Sequence, residues 1–240
     1  MSTPTRLALR LYQGLWAGID WIYPPICAGC GVAGTRWCET CSSSVILVEP
    51  PICPVCGDFQ ACEQVCQQCC ESLPYFNALR SWAAFDGAVR EAIHRFKYDR
   101  DLSLGDLFSR PMIELVYKMN WQIDLVIPVP LSQRRFKERG YNQSAFLARP
   151  IALGINVPYS SKSLKRNRDT LTQVGLTAEE RRKNVANAFE AKPNLILRKN
   201  ILVVDDVTTT GSTINACAAA LIQAGAKNVY GLTLARAVLT

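Results

Sequence analysis

Long apolar runs are missing from the sequence. No stretch reaches the roughly 18 consecutive apolar residues that cross a bilayer as a helix, so no membrane span is expected. Arg10, Gln13 and Asp20 interrupt the apolar residues near the N-terminus, which is not the pattern of a secretory signal. Residues 6–22 have instead the apolar spacing of a helix. Since few Lys or Arg flank it, packing against the protein is favoured over lying on a membrane. We expect a cytoplasmic protein, with a peripheral position at the inner membrane as the open alternative.

Histidine is also scarce, and so is cysteine in most of the chain. His94 is the only histidine, and a surface or packing role is favoured for it over acid–base catalysis. Of the 11 cysteines, ten lie between Cys27 and Cys70, and only Cys217 lies in the longer C-terminal part. Without a secretion signal, such a cluster indicates metal binding in preference to disulfides. This distribution predicts a small module over residues 1–74, which includes the N-terminal helix, and a larger domain over residues 75–240.

The cysteines of the small module form four Cys-x-x-Cys pairs, and each pair can turn two thiolates towards one cation. Seven residues separate the first two pairs and nine separate the last two, which fits two consecutive zinc ribbons. The predicted ligands are Cys27, Cys30, Cys38 and Cys41 in one site, and Cys53, Cys56, Cys66 and Cys69 in the other. Cys62 and Cys70 are spare, so replacement of Cys69 by Cys70 and crossed pairing are both left open. Four thiolates leave no free coordination position, so we expect two zinc ions that stabilise the fold without catalysing a reaction.

Apolar runs and helical patterns alternate through residues 75–240. They predict strands over residues 81–85, 125–129, 201–204 and 229–234, and helices over residues 88–98, 102–118, 142–153, 177–187 and 213–224. Pro111 is expected to kink or split the second of these helices. Strands and helices in this order are typical of a mainly parallel sheet with helices on both faces. The predicted fold class is therefore α/β, with the small zinc-binding module at the N-terminus.

The most specific segment of the chain covers residues 201–213. Its buried strand delivers Asp205 and Asp206 to the carboxyl edge of the sheet, where open α/β sheets bind their ligands. The backbone N–H groups and hydroxyls that follow can surround a phosphate, helped by the dipole of the next helix. A Walker loop is excluded, because the Gly-Lys-Ser/Thr ending is missing. The candidate residues of this phosphate loop are Thr208, Thr209, Thr210, Gly211, Ser212 and Thr213.

This segment resembles the PRPP-binding signature of the type I phosphoribosyltransferases, in which four hydrophobic residues and two acids precede a Thr-Thr-Gly-x-Thr-like loop. The resemblance implies that Asp205 and Asp206 hold the ribose 2′- and 3′-hydroxyls of PRPP, which is bound together with Mg²⁺. It implies that residues 209–213 hold the 5′-phosphate. Thr208 departs slightly from the signature, where an aliphatic residue is usual. Purine-salvage members have a carboxylate at the place of Thr209, so purine transfer is not expected.

Further segments of the chain, taken together, resemble the ComF/GntX competence family. The resemblance rests on the cysteine-rich module followed by the segments at residues 96–98, 128–131, 134–143, 166–176 and 181–189. It covers residues 22–236 and implies a role in the uptake of single-stranded DNA during natural transformation. It also implies that the turn at residues 128–131 lies where other transferases bind pyrophosphate. The helicase of the DNA-uptake machinery is then a candidate partner.

Positive charge is concentrated in one part of the chain. Residues 131–200 contain 15 Lys and Arg against 5 Asp and Glu, whereas the remainder contains 12 against 15. This segment indicates an anionic ligand, with a solubilising basic face as the alternative. Arginine suits bidentate contacts with phosphate, and Phe136 and Tyr141, which are interleaved with the basic residues, are candidates to stack on bases. The residues expected to contact pyrophosphate or nucleic acid are Pro130, Arg134, Arg135, Arg139 and Tyr141.

These patterns leave two main functions open. The first is a ComF-type protein that supports single-stranded DNA uptake through a PRPP-binding domain. The second is a metabolic phosphoribosyltransferase, in which the acid pair and loop hold the ribose while arginines stabilise the departing pyrophosphate. A protein that binds PRPP without turning it over is a third reading. The sequence identifies no acceptor pocket and does not decide whether catalysis takes place.

Overall fold

The structure is a computed structural model that describes residues 25–167 and 188–237. The helices predicted over residues 6–22 and 177–187 lie outside the described residues. Inside those ranges, no helix has both the length and the apolar character needed to cross a bilayer.

The described residues form eight helices and six strands, in the order expected of an α/β protein. The helices are α1 (Glu39–Ser43), α2 (Gln67–Glu71), α3 (Gly87–Tyr98), α4 (Ser103–Met119), α5 (Gln133–Arg139), α6 (Gln143–Ile155), α7 (Pro193–Ile196) and α8 (Ser212–Gln223). The strands are β1 (Ala78–Ala84), β2 (Leu125–Pro128), β3 (Leu164–Arg166), β4 (Phe189–Ala191), β5 (Asn200–Thr208) and β6 (Asn228–Arg236).

Four of the strands form one parallel sheet in the order β1-β6-β5-β2. Val204 of β5 pairs with Pro128 on one side and with Leu232 on the other, so β5 lies inside the sheet. The short strands β3 and β4 form a separate antiparallel pair. Parallel strands have their carboxyl ends at the same edge of the sheet, so the segments after β1, β2 and β5 meet there. The predicted parallel α/β sheet is confirmed.

The sheet is buried on both faces, which explains the continuous apolar run at the start of β5. Ile201 and Val203 belong to the core on the face covered by α8. Leu202 and Val204 alternate with them and pack with α3, α4 and α6 on the other face. A strand covered on both faces reads as an uninterrupted hydrophobic run, without the alternation of a half-exposed strand.

Two details differ from the sequence-based expectation. Pro111 lies within one continuous helix, α4, and does not split it. β5 continues past the apolar run to Thr208, because the segment stays paired with β6 as far as Arg236. Asp205 and Asp206 are therefore strand residues in a fixed register, and Asp206 is buried.

The two cysteine ribbons pack against different cores. In the first ribbon, Ala28 is buried with α3 and α4, and the Trp37 ring meets the Phe108 ring edge-on at 5.2 Å. In the second ribbon, the four ligand cysteines are buried with Phe76 and Leu79 in the core on the α8 face. The Leu79 N–H donates to the Val55 carbonyl at 2.8 Å, so backbone hydrogen bonding ties the second ribbon to β1.

Candidate functional site

Asp206 is a buried carboxylate at the carboxyl edge of the sheet. Only 4% of the residue is exposed. Lys97, from the last turn of α3, places its Nζ 3.2 Å from Asp206 Oδ1. The second oxygen, Oδ2, is buried and has no hydrogen-bond partner among the described residues. Since buried polar atoms are almost always partnered, this oxygen can accept one more donor.

Asp205 lies next to Asp206 in β5. Its Oδ1 accepts from the Ser144 hydroxyl at 2.7 Å and from the Asp206 N–H at 2.9 Å. Ser144 is in the first turn of α6, which Asn142 caps by accepting from the Ser144 N–H. Burial and the neighbouring Asp206 carboxylate raise the pKa of Asp205 to about 7. Oδ1 of Asp205 is therefore occupied by two donors of the protein, and Oδ2 is the oxygen that can meet a ligand.

The phosphate loop connects β5 to α8. Thr208 is the buried last residue of β5. From the sequence it is expected among the loop residues, but in the structure it lies just before them. Gly211 is the N-cap of α8 and has φ 77°, a conformation that favours glycine. No side chain caps the helix, and Thr210 Oγ1 and Ser212 Oγ lie 2.6 Å apart at its start. A helix of 12 residues with an uncapped N-terminus and adjacent hydroxyls has the donors that bind an anion.

The basic helix α5 follows β2 at the same edge of the sheet. Val129 donates its N–H to the Val204 carbonyl at 2.9 Å, so Pro130 leaves the sheet beside β5. In α5, Arg134 pairs with Glu138 at 2.9 Å, while Arg135 is exposed. The Arg139 guanidinium lies over the Tyr98 ring at 5.3 Å, and its Nη1 is buried without a partner in the described part of the chain.

The structure excludes Tyr141 as a residue that stacks on bases. Tyr141 is only 8% exposed, and its hydroxyl donates to the Phe96 carbonyl. Its ring therefore supports α3 from inside the protein and is not free for a base. Two other aromatic rings are exposed near this edge: Tyr98 at 59% and Phe136 at 51%. His94 is exposed as well and its ring lies 4.7 Å from that of Tyr98, which confirms its predicted surface position.

Three of the unpartnered buried polar atoms in the described residues belong to β5, α5 and α6. Besides Asp206 Oδ2 and Arg139 Nη1, the buried Gln143 Oε1 at the start of α6 has no hydrogen-bond partner in the described ranges. Sequence reasoning missed Lys97, Ser144 and Gln143 as site residues. Lys97 and Gln143 belong to the segments at residues 96–98 and 134–143 that resemble the ComF/GntX family, but nothing in their spacing connects them to β5. Only the parallel sheet brings them to one edge.

The eight predicted cysteine ligands form two separate clusters. The sulfur atoms of Cys27, Cys30, Cys38 and Cys41 lie within 4.8 Å of one another, and those of Cys53, Cys56, Cys66 and Cys69 do the same. The structure thus brings the Cys-x-x-Cys turns together in consecutive pairs, and Cys62 and Cys70 lie outside both clusters and are exposed.

Each cluster has the donors of a structural zinc site. In both ribbons the first cysteine accepts a backbone N–H, from Cys38 to Cys27 Sγ at 3.3 Å and from Cys66 to Cys53 Sγ at 3.4 Å. Burial raises the pKa of the Cys56 thiol to about 12, with neighbouring sulfurs adding to the effect. A divalent cation removes this penalty by compensating the thiolate charges. The residues fit one zinc ion per ribbon.

The chain is similar to characterised proteins over most of its length. Residues 18–70 match the family model described as a double zinc ribbon domain. The DNA utilization protein YhgH of Escherichia coli (strain K12) is 31% identical over 205 residues, which is 83% of this chain and 89% of that protein. Competence protein F of Haemophilus influenzae is 30% identical, covering 86% of this chain and 93% of that protein. The chain belongs to the ComF/YhgH family.

More distant members and solved structures are also similar. Competence protein ComFC of Bacillus subtilis (strain 168) is 28% identical over 83% of both chains. The glutamine PRPP amidotransferase of B. subtilis is 20% identical with a TM-score of 0.37, covering 52% of this chain and 25% of that one. An adenine phosphoribosyltransferase of Saccharomyces cerevisiae is 18% identical with a TM-score of 0.35, covering 57% of this chain and 72% of that one.

Proposed function

We propose that this ComF/YhgH family protein binds a ribose 5-phosphate group, in PRPP or a related molecule, and single-stranded DNA at the same edge of its sheet. In this role it supports the handling of DNA during uptake. The names of its relatives, which refer to competence and DNA utilization, support the second part of the proposal. The geometry of the acid pair and the phosphate loop supports the first.

The observation that carries the ribose proposal is the unpartnered Asp206 Oδ2. A buried carboxylate oxygen without a donor is costly, and a ribose hydroxyl supplies the missing hydrogen bond. Asp205, held by Ser144 on one oxygen, offers its other oxygen to the adjacent hydroxyl. Lys97 fixes the rotamer of Asp206 and limits the repulsion between the two acids. The pair is thus arranged for a neutral diol better than for a bare cation.

The phosphate end of the ligand fits the start of α8. The distance along the chain from Asp206 to Gly211 is only a few residues, so a diol at the acid pair and a phosphate at the loop belong to one small sugar phosphate. PRPP would bring Mg²⁺ on its pyrophosphate group. That group would extend towards α5, where Arg139 Nη1 has no partner among the described residues.

The DNA-binding part of the proposal rests on the surface formed by α5 and the end of α3. It offers the cations of Arg135 and Arg139 and the exposed rings of Tyr98 and Phe136. Cations that follow a backbone and rings that accept stacked bases are the usual combination for single strands. We call Arg134, Arg135, Phe136, Arg139 and Tyr98 the basic–aromatic surface.

Phosphoribosyl transfer to an acceptor is the second candidate function. The same acid pair and loop would hold the ribose, and the arginines of α5 would stabilise the departing pyrophosphate. Thr209 offers a hydroxyl where a purine-transferring enzyme would need a carboxylate, so an acceptor other than a purine is expected.

One experiment distinguishes these functions. Purified protein is titrated with ribose 5-phosphate, with Mg²⁺–PRPP and with a short single-stranded oligonucleotide, separately and in pairs. We expect binding of all three, with competition between PRPP and DNA because both approach Arg139. Pyrophosphate release is followed in the same samples. Release that depends on an added acceptor, without DNA binding, would support the transferase and contradict the proposal. Absence of both sugar phosphate and DNA binding would overturn it entirely.

A further inference from the structure

Arg236 is a buried cation that the proposed binding site does not yet use. It is the last residue of β6, it is 2% exposed, and it is the largest fully buried side chain among the described residues. Arginine is almost never fully buried unless its charge is partnered, since desolvation of a charge is expensive. The contacts of the Arg236 side chain must therefore compensate its buried charge.

The guanidinium of Arg236 joins the second zinc ribbon to the phosphate loop. Nη2 donates to the carbonyl of Cys56, a ligand of the second cysteine cluster. Nη1 donates to the carbonyl of Thr209, the first residue of the loop, at 3.1 Å. The same Nη1 lies 3.4 Å from Asp58 Oδ1, two residues after Cys56. One planar group thus holds a metal-binding turn on one side and the phosphate loop on the other.

The contact with Thr209 fixes the direction of a donor in the loop. In a trans peptide the C=O and the following N–H point in opposite directions. Because Arg236 holds the Thr209 carbonyl, the Thr210 N–H of the same peptide points away from Arg236. A fixed N–H direction is what an anion-binding loop requires, because a loop that must reorganise loses affinity.

A cavity of about 650 Å³ lies between the second ribbon and the start of α8, beside the apolar core that the two share. Its lining includes Cys56 and Cys69 from the ribbon and Thr210 and Ser212 from the loop. The guanidinium of Arg236 adds a polar link from the Cys56 turn to the Thr209 carbonyl, beside the apolar contacts of that core.

The first ribbon provides a matched contrast. Arg95 of α3 donates from Nη1 to the carbonyl of Cys27 at 3.1 Å, so an arginine also holds a ligand carbonyl there. That ribbon packs on the opposite face of the sheet with α3 and α4. Arg95 thus performs the same task for the first metal site on a face that does not carry the phosphate loop.

We propose that Arg236 is a positioning residue through which the second zinc site, and not the first, controls the phosphate loop. The zinc ion would hold the Cys56 turn, the turn and Asp58 would hold Arg236, and Arg236 would set the peptide between Thr209 and Thr210. This inference rests on the proposed binding of a sugar phosphate. It predicts that affinity for the phosphate depends on the second cysteine cluster.

The test compares Arg236→Lys with Arg95→Lys in the full-length protein. Lysine keeps the charge but cannot donate to two carbonyls from one plane. Calorimetry with ribose 5-phosphate should show about a tenfold loss of affinity for Arg236→Lys, since a hydrogen bond from a charged group is lost at the loop. Arg95→Lys should stay within about twofold of wild type, because its bond does not reach the loop. Elemental analysis should find both zinc ions in each variant.

A second measurement follows the stability of the loop in the absence of a sugar phosphate. Hydrogen exchange over residues 209–212 is compared between Cys53→Ser and Cys27→Ser, two fully buried ligands in equivalent positions. Exchange should rise in Cys53→Ser only. If Arg236→Lys does not fold, Asp58→Asn replaces it, with an expected loss of about threefold because Asp58 is partly exposed.

The outcomes separate the two proposals. Failure of the wild-type protein to bind ribose 5-phosphate would refute the proposed function, while the exchange comparison would still test the coupling. Binding by wild type and by Arg236→Lys with equal affinity would overturn the role of Arg236. Equal exchange in the two cysteine variants would overturn the asymmetry between the zinc sites.

Discussion

The acid pair and the basic–aromatic surface lie at the same edge of the sheet but differ in charge, in burial and in the contacts that hold them. The acid pair is enclosed, and its geometry is fixed by Lys97 from α3 and by Ser144 from α6. The basic–aromatic surface is exposed, and Arg134 pairs with Glu138 of its own helix. One region is a pair of enclosed carboxyl groups held by contacts from two helices, and the other is an exposed surface of cations and aromatic rings.

This difference indicates how each region selects its ligand. Enclosed groups with unmet hydrogen bonds recognise a small molecule by shape, and salt affects such contacts little. Exposed cations attract any polyanion, and their contribution falls with ionic strength. The two regions should therefore respond to different variants and to different solution conditions.

The largest effect is expected from Asp206→Asn. The amide cannot accept as a charged oxygen does and leaves Lys97 without its partner, so ribose 5-phosphate affinity should fall about 100-fold. Affinity for single-stranded DNA should stay within about twofold, because the basic–aromatic surface is untouched. Calorimetry for the sugar phosphate and fluorescence anisotropy for DNA measure the two effects.

The control is Asp86→Asn. Asp86 is exposed, follows β1 at the same edge of the sheet, and makes no side-chain cap bond to α3. Neither affinity should change. A parallel loss of sugar phosphate and DNA binding in Asp206→Asn would show that the two regions are a single site.

Some features of these sites can be predicted from the sequence and others cannot. The apolar run of β5 and its two acids identify the sheet edge, and the Cys-x-x-Cys spacing identifies both cysteine clusters. The partners of the acids are not predictable in the same way, because Lys97 and Ser144 reach them only through the parallel sheet. Tyr141 and Tyr98 show the same limit: both are aromatic and near basic residues, and only packing decides which ring is buried.

The second effect concerns salt. Replacing Arg134, Arg135 and Arg139 together by alanine should reduce the slope of log affinity for single-stranded DNA against log salt by about 2, since each phosphate contact contributes about 0.7. The loss should be equal for different DNA sequences. Lys118, Arg198 and Lys227, which are exposed near the opposite edge, form the matched control triple. An unchanged slope in the first variant, or the same change in the control, would place the DNA elsewhere.

The third effect tests the rings. Tyr98→Ala should cost about 1–3 kcal/mol of DNA binding and leave the salt slope unchanged, as expected for a stacking contact. Tyr117→Ala is the control, because Tyr117 is about as exposed but lies at the end of α4 near the opposite edge. A flattened slope in Tyr98→Ala would show that its main role is to hold Arg139.

The last comparison distinguishes the two regions by the pH dependence of stability. Burial and the adjacent Asp206 carboxylate raise the pKa of Asp205 from 3.8 to about 7 in the folded protein. Folding therefore takes up a proton between these values, and the free energy of unfolding falls as pH rises from about 4 to about 7.

Asp205→Asn removes this dependence, because the amide stays neutral and its oxygen can still accept from Ser144. The variant should match wild type near pH 4 and be more stable at pH 8 by on the order of 2 kcal/mol. Urea unfolding at the two pH values measures the difference. The triple arginine variant retains Asp205, so it should keep the pH dependence of the wild type. A wild-type stability that rises between pH 4 and 7 relative to Asp205→Asn would contradict the enclosed character of the acid pair.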